Sequence, residues 1–338
     1  MRNIAYIAGL CFALACSSCD RDRLYYATEE QGFVRLNVNW QPAQLEPNGI
    51  SVYVFDRENG KAVGKCRVCS DPNTIDIALP VGKFDLLLVN NTEEELAAIN
   101  FTDIDNLSTF KACLAANEEP LYSSLLSKAE GTARSAYLTE CDILASALAR
   151  EIEITPRDIH YFKEKPAAGT HEISRTVEVT PERRTELIDI EIKVTNITST
   201  AGAPRTHLTA MCEGVNLETA SKYGNNVTHE FVLNNKRVDP DNYKVGTISK
   251  KLIAFGPEQE NDACVNRHQL IMHFVLVNGE THTVTLNVHD LIETSHDGTQ
   301  RVHKIRAEIT LPEAIGNGEG VFHPDIEEWE EIETELPI

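Results

Sequence analysis

From residue 32 the chain alternates apolar and polar positions with a period of two. Val34, Leu36, Val38 and Trp40 fall on one side, and Arg35, Asn37 and Asn39 on the other, the pattern of a strand with one buried face. Residues 50–55 repeat it, residues 74–79 place Ile75, Ile77 and Leu79 on one face, and residues 84–89 form a more continuous apolar run. Pro80 and Gly82 between the last two predict a hairpin-like turn. The character then changes. Thr92, followed three residues later by Glu95, reads as a capping box that opens a short helix through Leu96 and Ala98, because each side chain can satisfy a backbone N–H that a first helical turn leaves bare. Stretches rich in Ala, Leu and Ser continue to Arg150, and residues 151–154 restore the alternation and return the chain to the first sheet. Residues 92–150 are therefore expected to be a helical insertion in a first β-sandwich.

Residues 157–170, with Pro166 and Gly169, are the expected linker. Beyond them the alternation is cleaner. Ile188, Ile190, Ile192 and Val194 oppose Asp189, Glu191, Lys193 and Thr195, while Ile305, Ala307, Ile309 and Leu311 oppose Lys304, Arg306, Glu308 and Thr310. Val284, Leu286 and Val288 form another stripe, and the runs 270–277 and 281–288 flank Asn278-Gly279, a pair suited to the positive φ values of a type I′ hairpin turn. Several short strands with polar outer faces predict a β-sandwich. Length supports two domains, with about 150 residues per domain as a prior. The expected divisions are 32–156 for the first sandwich, 171–315 for the second and 316–338 for an acidic C-terminal segment.

The first 31 residues belong to neither sandwich. Arg2 gives a positive start, residues 4–15 are free of charge, and Ser17 and Ser18 precede Cys19, after which Asp20, Arg21, Asp22 and Arg23 follow. The apolar stretch is too short to span a bilayer, and the layout is that of a cleaved signal peptide over residues 1–18. A cysteine at such a cleavage site can carry acyl chains on its thiol and amine, so Cys19 is the expected lipid anchor, with residues 19–31 as the anchored segment. Cys16, preceded by Ala15, is the rival position, and an ordinary secreted protein is the plain alternative. The formal net charge is −21, and removing the leader, whose only charge is Arg2, leaves −22. So acidic a chain argues against nucleic acid and against a polybasic membrane surface.

Chemistry is sparse. No nucleophile elbow, phosphate loop, zincin helix or dinucleotide fingerprint occurs, and neither a catalytic residue nor a cofactor is expected. Six cysteines remain beyond the anchor: Cys66, Cys69, Cys113, Cys141, Cys212 and Cys264. An exported chain permits disulfides among them, and the sequence leaves the pairing open. Cys66-Arg67-Val68-Cys69 has the spacing of a redox or zinc half-site, but without a second such pair it reads as a strand-end pair, free or bridged. His273, His282, His289 and His303 lie in or beside expected strands and could converge on a metal, though a solvated sheet face accounts for them without one. Asp103-Ile104-Asp105-Asn106 has part of a calcium loop but lacks its glycine and terminal glutamate. Gly316-Asn317-Gly318-Glu319-Gly320 reads as a flexible turn, and residues 325–338 as an acidic tail with spaced Ile326, Trp329, Ile332 and Leu336.

Several segments together resemble a family. They are Ser18-Cys19-Asp20-Arg21-Asp22-Arg23-Leu24-Tyr25, Val34-Arg35-Leu36-Asn37-Val38-Asn39-Trp40, Leu79-Pro80-Val81-Gly82-Lys83-Phe84-Asp85-Leu86, Val179-Thr180-Pro181-Glu182-Arg183, Phe255-Gly256 and the stretch around Trp329. The chain resembles the Bacteroidetes fimbrillin-type lipoproteins, which include fimbrial anchor and accessory subunits. That resemblance implies two tandem transthyretin-like, Greek-key β-sandwiches on an outer-membrane lipid anchor at the cell surface. It also implies a role in fimbrial anchoring, assembly or adhesion, with fimbrillin-like or other surface subunits as partners. Strand exchange is the expected mode, through residues 24–40 or 326–336. The alternative is a surface lipoprotein that binds glycans or nutrients on Tyr25, Tyr26 and Trp329; a hydrolase with a hidden site is a third reading.

Overall fold

The computed structural model describes residues 31–92, 95–115, 137–138, 141–159, 172–224, 227–257 and 268–314. Among these residues every regular element longer than one turn is a β-strand. The signal segment, Cys19, Cys264, the linker from 160 to 170 and the acidic tail lie outside them.

In the first half the strands are β1 (Gly32–Val38), β2 (Ile50–Asp56), β3 (Arg67–Cys69), β4 (Thr74–Leu79) and β5 (Gly82–Asn90), followed by β6 (Ile99–Thr102), β7 (Lys111–Leu114), β8 (Tyr137–Leu138) and β9 (Ala145–Ile154). Next come β10 (Arg175–Val179) and β11 (Glu182–Arg183). A sheet in the order β10-β1-β4 packs on one in the order β11-β9-β5-β2-β3. Val34, Leu36 and Ile77 from one meet Val52, Val54, Leu86 and Leu88 from the other in a single apolar cluster. Because β4 and β5 lie in different sheets, residues 80–82 form a corner that changes sheets, and the hairpin-like turn expected there is not made.

The continuous apolar run in β5 has a simple cause: β2 and β5 are buried on both faces. Tyr53, Phe55, Leu87 and Val89 point away from the first cluster into a second one, where the segment between β5 and β9 covers them. The described residues of the expected helical insertion hold no helix longer than one turn, and residues 116–136, 139 and 140 of it lie outside the described residues. Over β2 and β5 the insertion places β6 and β7, which pair antiparallel, with Phe110 wedged beneath. Phe110 packs edge-on against Tyr53 at 4.8 Å and Phe55 at 6.1 Å between ring centroids. The capping-box bonds themselves do form. The Thr92 N–H donates to Glu95, and the Glu95 N–H donates to Thr92 Oγ1 at 3.3 Å. Only a turn follows, because Leu96 and Ile99 enter the apolar cluster and Ile99 starts a strand; burial outweighs a local capping preference worth about 1 kcal/mol.

β9 begins six residues earlier than the alternation of 151–154 suggests. Ala145, Ala147 and Ala149 share a face with Ile152 and Ile154, and the change of parity is a bulge where Glu151 has φ 64°. Asp85 caps the bulge: it accepts from the Glu151 N–H at 3.0 Å and from Arg57 at 2.9 Å.

Past the linker the chain first returns to the first sheets. β10 runs parallel to β1, and β11 pairs with β9, so the expected start of the second unit at 171 precedes two strands that complete the first. The remaining strands are β12 (Glu186–Thr195), β13 (Arg205–Met211), β14 (Gly214–Asn216), β15 (Lys222–Tyr223), β16 (Val227–Val232), β17 (Asn235–Val238) and β18 (Val245–Ala254). After them come β19 (Gln269–Val275), β20 (Thr281–Asn287), β21 (Ile292–His296) and β22 (Arg301–Thr310). Two sheets, β17-β18-β12-β22-β21 and β20-β19-β13-β16-β8, enclose Ile188, Ile190, Ile192, Leu270, Met272 and Phe274. A fifth sheet, β15-β14-β7-β6, joins the cover over β2 and β5 to this second half. One apolar cluster therefore runs from Tyr53 and Leu87 to Phe274 and Ile305.

Candidate functional site

A sheet edge carries main-chain groups that another strand can pair with, and most edges in this protein are blunted. β10 carries Arg175 and Glu178, β17 Lys236 and Arg237, β21 Glu293 and β4 Asp76, while β3, β11 and β15 have two or three residues each. Short strands and charged side chains are the usual defences of an edge. β20 has neither. It is seven residues long, Thr-His-Thr-Val-Thr-Leu-Asn, with no Asp, Glu, Lys or Arg, in a chain of net charge −21. All seven residues pair with β19, and no strand among the described residues lies on the other side.

The ladder fixes which backbone groups are open. Leu276 N–H donates to the Glu280 carbonyl at 2.8 Å, and Val288 N–H donates to the His268 carbonyl at 2.9 Å. In an antiparallel pair alternate residues face the neighbour, so the even-numbered residues of β20 bond to β19. The N–H and C=O groups of Thr281, Thr283, Thr285 and Asn287 face outward. Their side chains are exposed, whereas His282, Val284 and Leu286 are half-buried. Val284 and Leu286 rest on the margin of the core, which is left partly open at this strand. Beside it Val275 and Val277 are 51% and 41% exposed, adding an apolar margin near the Thr281 end. The hairpin that presents β20 was legible from Asn278-Gly279, but its loop is three residues with only Gly279 at positive φ, 84°. That is a type I turn with a glycine bulge, not the expected type I′.

A second polar constellation is buried. Glu186 Oε2 receives Lys222 Nζ at 2.5 Å and pairs with His303 Nε2 at 2.6 Å, while Arg301 stands 3.9 Å from its other oxygen. Burial would push the Glu186 carboxyl up, but the hydrogen bond from His303 and the charge and hydrogen bond of Lys222 outweigh it and hold it below the usual range. Gly256, at φ 77°, lies against this carboxylate where any Cβ would overlap it, which gives Phe255-Gly256 a physical reason. The group bonds β15 to β12 and β22. Thr294 completes it from β21, against His303 Nδ1 at 2.9 Å.

The residues singled out in the sequence are scattered. His273 bonds Thr283 at 2.9 Å on the outer face of β19 and β20, His289 stacks on His268, and His303 belongs to Glu186; among the described residues no three His, Cys, Asp or Glu gather as a metal site would require. No disulfide links any two of Cys66, Cys69, Cys113, Cys141 and Cys212. Cys66 precedes β3 and Cys69 ends it, and in an extended chain residues three apart point to opposite faces. Asn106 accepts from Ser108 N–H at 3.0 Å and so caps the turn between β6 and β7. Of the expected exchange regions, residues 32–38 form β1, an inner strand paired on both sides, and 326–336 lie outside the described residues. Tyr25, Tyr26 and Trp329 lie outside them too. The open edge of β20 was missed as such, although the absence of charge from 281–288 was there to be read.

Comparison with known proteins adds family and fold. A family model described as "Domain of unknown function (DUF5119)" matches residues 18–232. No curated protein matches the chain. Among solved structures, a "putative adhesin" from Bacteroides ovatus has a TM-score of 0.53 at 14% identity, covering 84% of this chain and 94% of its own. The fimbrial anchor protein Mfa2 from Porphyromonas gingivalis has a TM-score of 0.47 at 11% identity, covering 82% and 90%.

Proposed function

Because this chain belongs to the DUF5119 family, whose description names no activity, we propose a function from its exposed edge: a non-enzymatic cell-surface lipoprotein that binds a partner subunit by β-strand pairing at β20. On this reading Cys19 holds the protein in the outer membrane, and two tandem transthyretin-like sandwiches present the edge for fimbrial anchoring, assembly or adhesion. The observation that carries it is β20 itself, an uncharged seven-residue strand with four outward-facing N–H and four outward-facing C=O groups. Strand addition supplies affinity through such groups and specificity through alternate side chains. Agreement in fold with the Bacteroides ovatus structure supports the architecture.

The test uses intact cells. A benzophenone side chain in place of Thr285 should cross-link to protein on irradiation, and Thr283→Pro, which removes one outward N–H, should abolish the adduct. No adduct at Thr285, together with binding of an oligosaccharide by the purified chain, would overturn strand pairing in favour of glycan binding. The anchor has its own measurement: Cys19→Ala should abolish acyl labelling and release the protein from membranes, and Cys16→Ala should leave both unchanged.

A further inference from the structure

Resting on the strand-pairing reading, we infer that the strand received at β20 is β20 of a second copy of this chain, antiparallel and centred on Val284. Only Thr281, Thr283, Thr285 and Asn287 turn backbone groups outward, and in an antiparallel ladder hydrogen-bonded residues lie opposite hydrogen-bonded residues. Centring on Val284 satisfies this for the whole strand: Thr283 faces the partner's Thr285, and Thr281 faces the partner's Asn287, each twice by symmetry.

The side chains agree with the backbone. On the outer face the register sets threonine against threonine and threonine against asparagine, pairs that can exchange hydrogen bonds. On the inner face Val284 meets its own copy, and Leu286 meets the partner's His282. The half-buried Val284 and Leu286, which leave the core margin open in one copy, are then covered from both sides. The two flanking carboxylates avoid each other as well, since Glu280 comes opposite the partner's Val288 and Asp290 opposite the partner's Asn278. A twofold interface needs a patch that is complementary to itself, and Thr-His-Thr-Val-Thr-Leu-Asn is such a patch. Residues 325–338 of the same chain fit it worse: they carry six glutamates and one aspartate, and β20 offers no cation to meet them.

Charge exchange tests the register. The mature, acylated chain in detergent should sediment as a dimer. Because position 283 faces position 285 of the partner, a Thr283→Lys/Thr285→Lys double variant opposes lysine to lysine, and a Thr283→Glu/Thr285→Glu variant opposes glutamate to glutamate. Each should be monomeric alone yet folded, with a cooperative melting transition, and an equimolar mixture should regain the dimer. The lysine variant lowers the net negative charge, so its dissociation could not come from general repulsion. A wild-type chain that stays monomeric at all concentrations, charge variants that still dimerise, or a mixture that stays monomeric would each overturn the self-pairing. If in that case Thr283→Pro still removes an in-cell cross-link to a different protein, strand pairing at β20 stands and only the identity of the partner falls. If Thr283→Pro leaves every cross-link in place, both readings fall.

Discussion

Strands β5 and β20 are opposites within one molecule. β5 has neighbours on both sides and apolar layers on both faces, with Leu86 and Leu88 in one cluster and Leu87 and Val89 in the other. β20 has one neighbour among the described residues, four exposed threonine or asparagine side chains, and only the margin of a core beneath it. Both are extended and rich in residues that suit strands. What separates them is how much of the strand's bonding capacity the rest of the chain uses. In β5 all of it is consumed, so substitutions there change stability; in β20 about half is left over, so substitutions there change what the protein can hold.

That contrast is sharpest where β5 acquires its second cover. Phe110, fully buried against Tyr53 and Phe55, is the wedge between β2, β5 and the β6–β7 pair. Phe110→Ala should cost about 3–5 kcal/mol, the range for emptying an aromatic site in a packed core, measured by denaturant unfolding. Because the same apolar cluster continues into the second half, spectroscopic probes in the two halves should report one shifted transition. Two separate transitions, only one of them moved, would break the claim that the cover joins the halves.

The cover is also held electrostatically, by Lys222 of β15 on Glu186 of β12. Glu186→Gln keeps the shape but leaves the Lys222 ammonium and the His303 ring facing a neutral amide, and should cost roughly 1–3 kcal/mol. The pH dependence follows from the direction of the Glu186 shift. Its folded carboxyl titrates below its unfolded value, so its contribution is fully present above the ordinary glutamate range near pH 4.3 and is lost as pH falls through the folded value. The stability gap between wild type and Glu186→Gln should therefore narrow under acid, as the Glu186 carboxylate is protonated. A gap that widens on acidification would remove the ion pair from the account.

How far the sequence revealed this follows the same line. Alternation in 32–40, 188–195 and 305–311 located strands with one buried face, since period two is what such a face imposes. The unbroken run 84–89 was visible but ambiguous, because burial on a second face depends on β6 and β7, which are distant in the chain. Those strands were in turn hidden by a genuine local signal, the Thr92–Glu95 capping box, whose hydrogen bonds form without a helix. The Glu186 group was out of reach, since Lys222 and His303 are brought to it only by sheet pairing. The return of 175–183 to the first sheets was equally hidden, because a parallel pairing such as β10 with β1 leaves no turn signature.

The smallest effect on stability should accompany the largest effect on partnership, and neighbouring positions of β20 separate the two. The Thr283 N–H faces away from β19, so Thr283→Pro removes no backbone bond within the protein and only the exposed side-chain bond between His273 and Thr283; proline is tolerated on edge strands for that reason, and the cost should stay within about 1 kcal/mol. The Val284 N–H faces β19, so Val284→Pro strips a ladder bond and orphans a carbonyl at a cost of about 1–3 kcal/mol. Melting temperature should thus fall clearly for Val284→Pro and barely for Thr283→Pro. Partner capture at β20 should be lost with Thr283→Pro even though the protein remains folded. Equal melting losses at the two positions would show that both N–H groups are used internally, and β20 would then be no more open than β5.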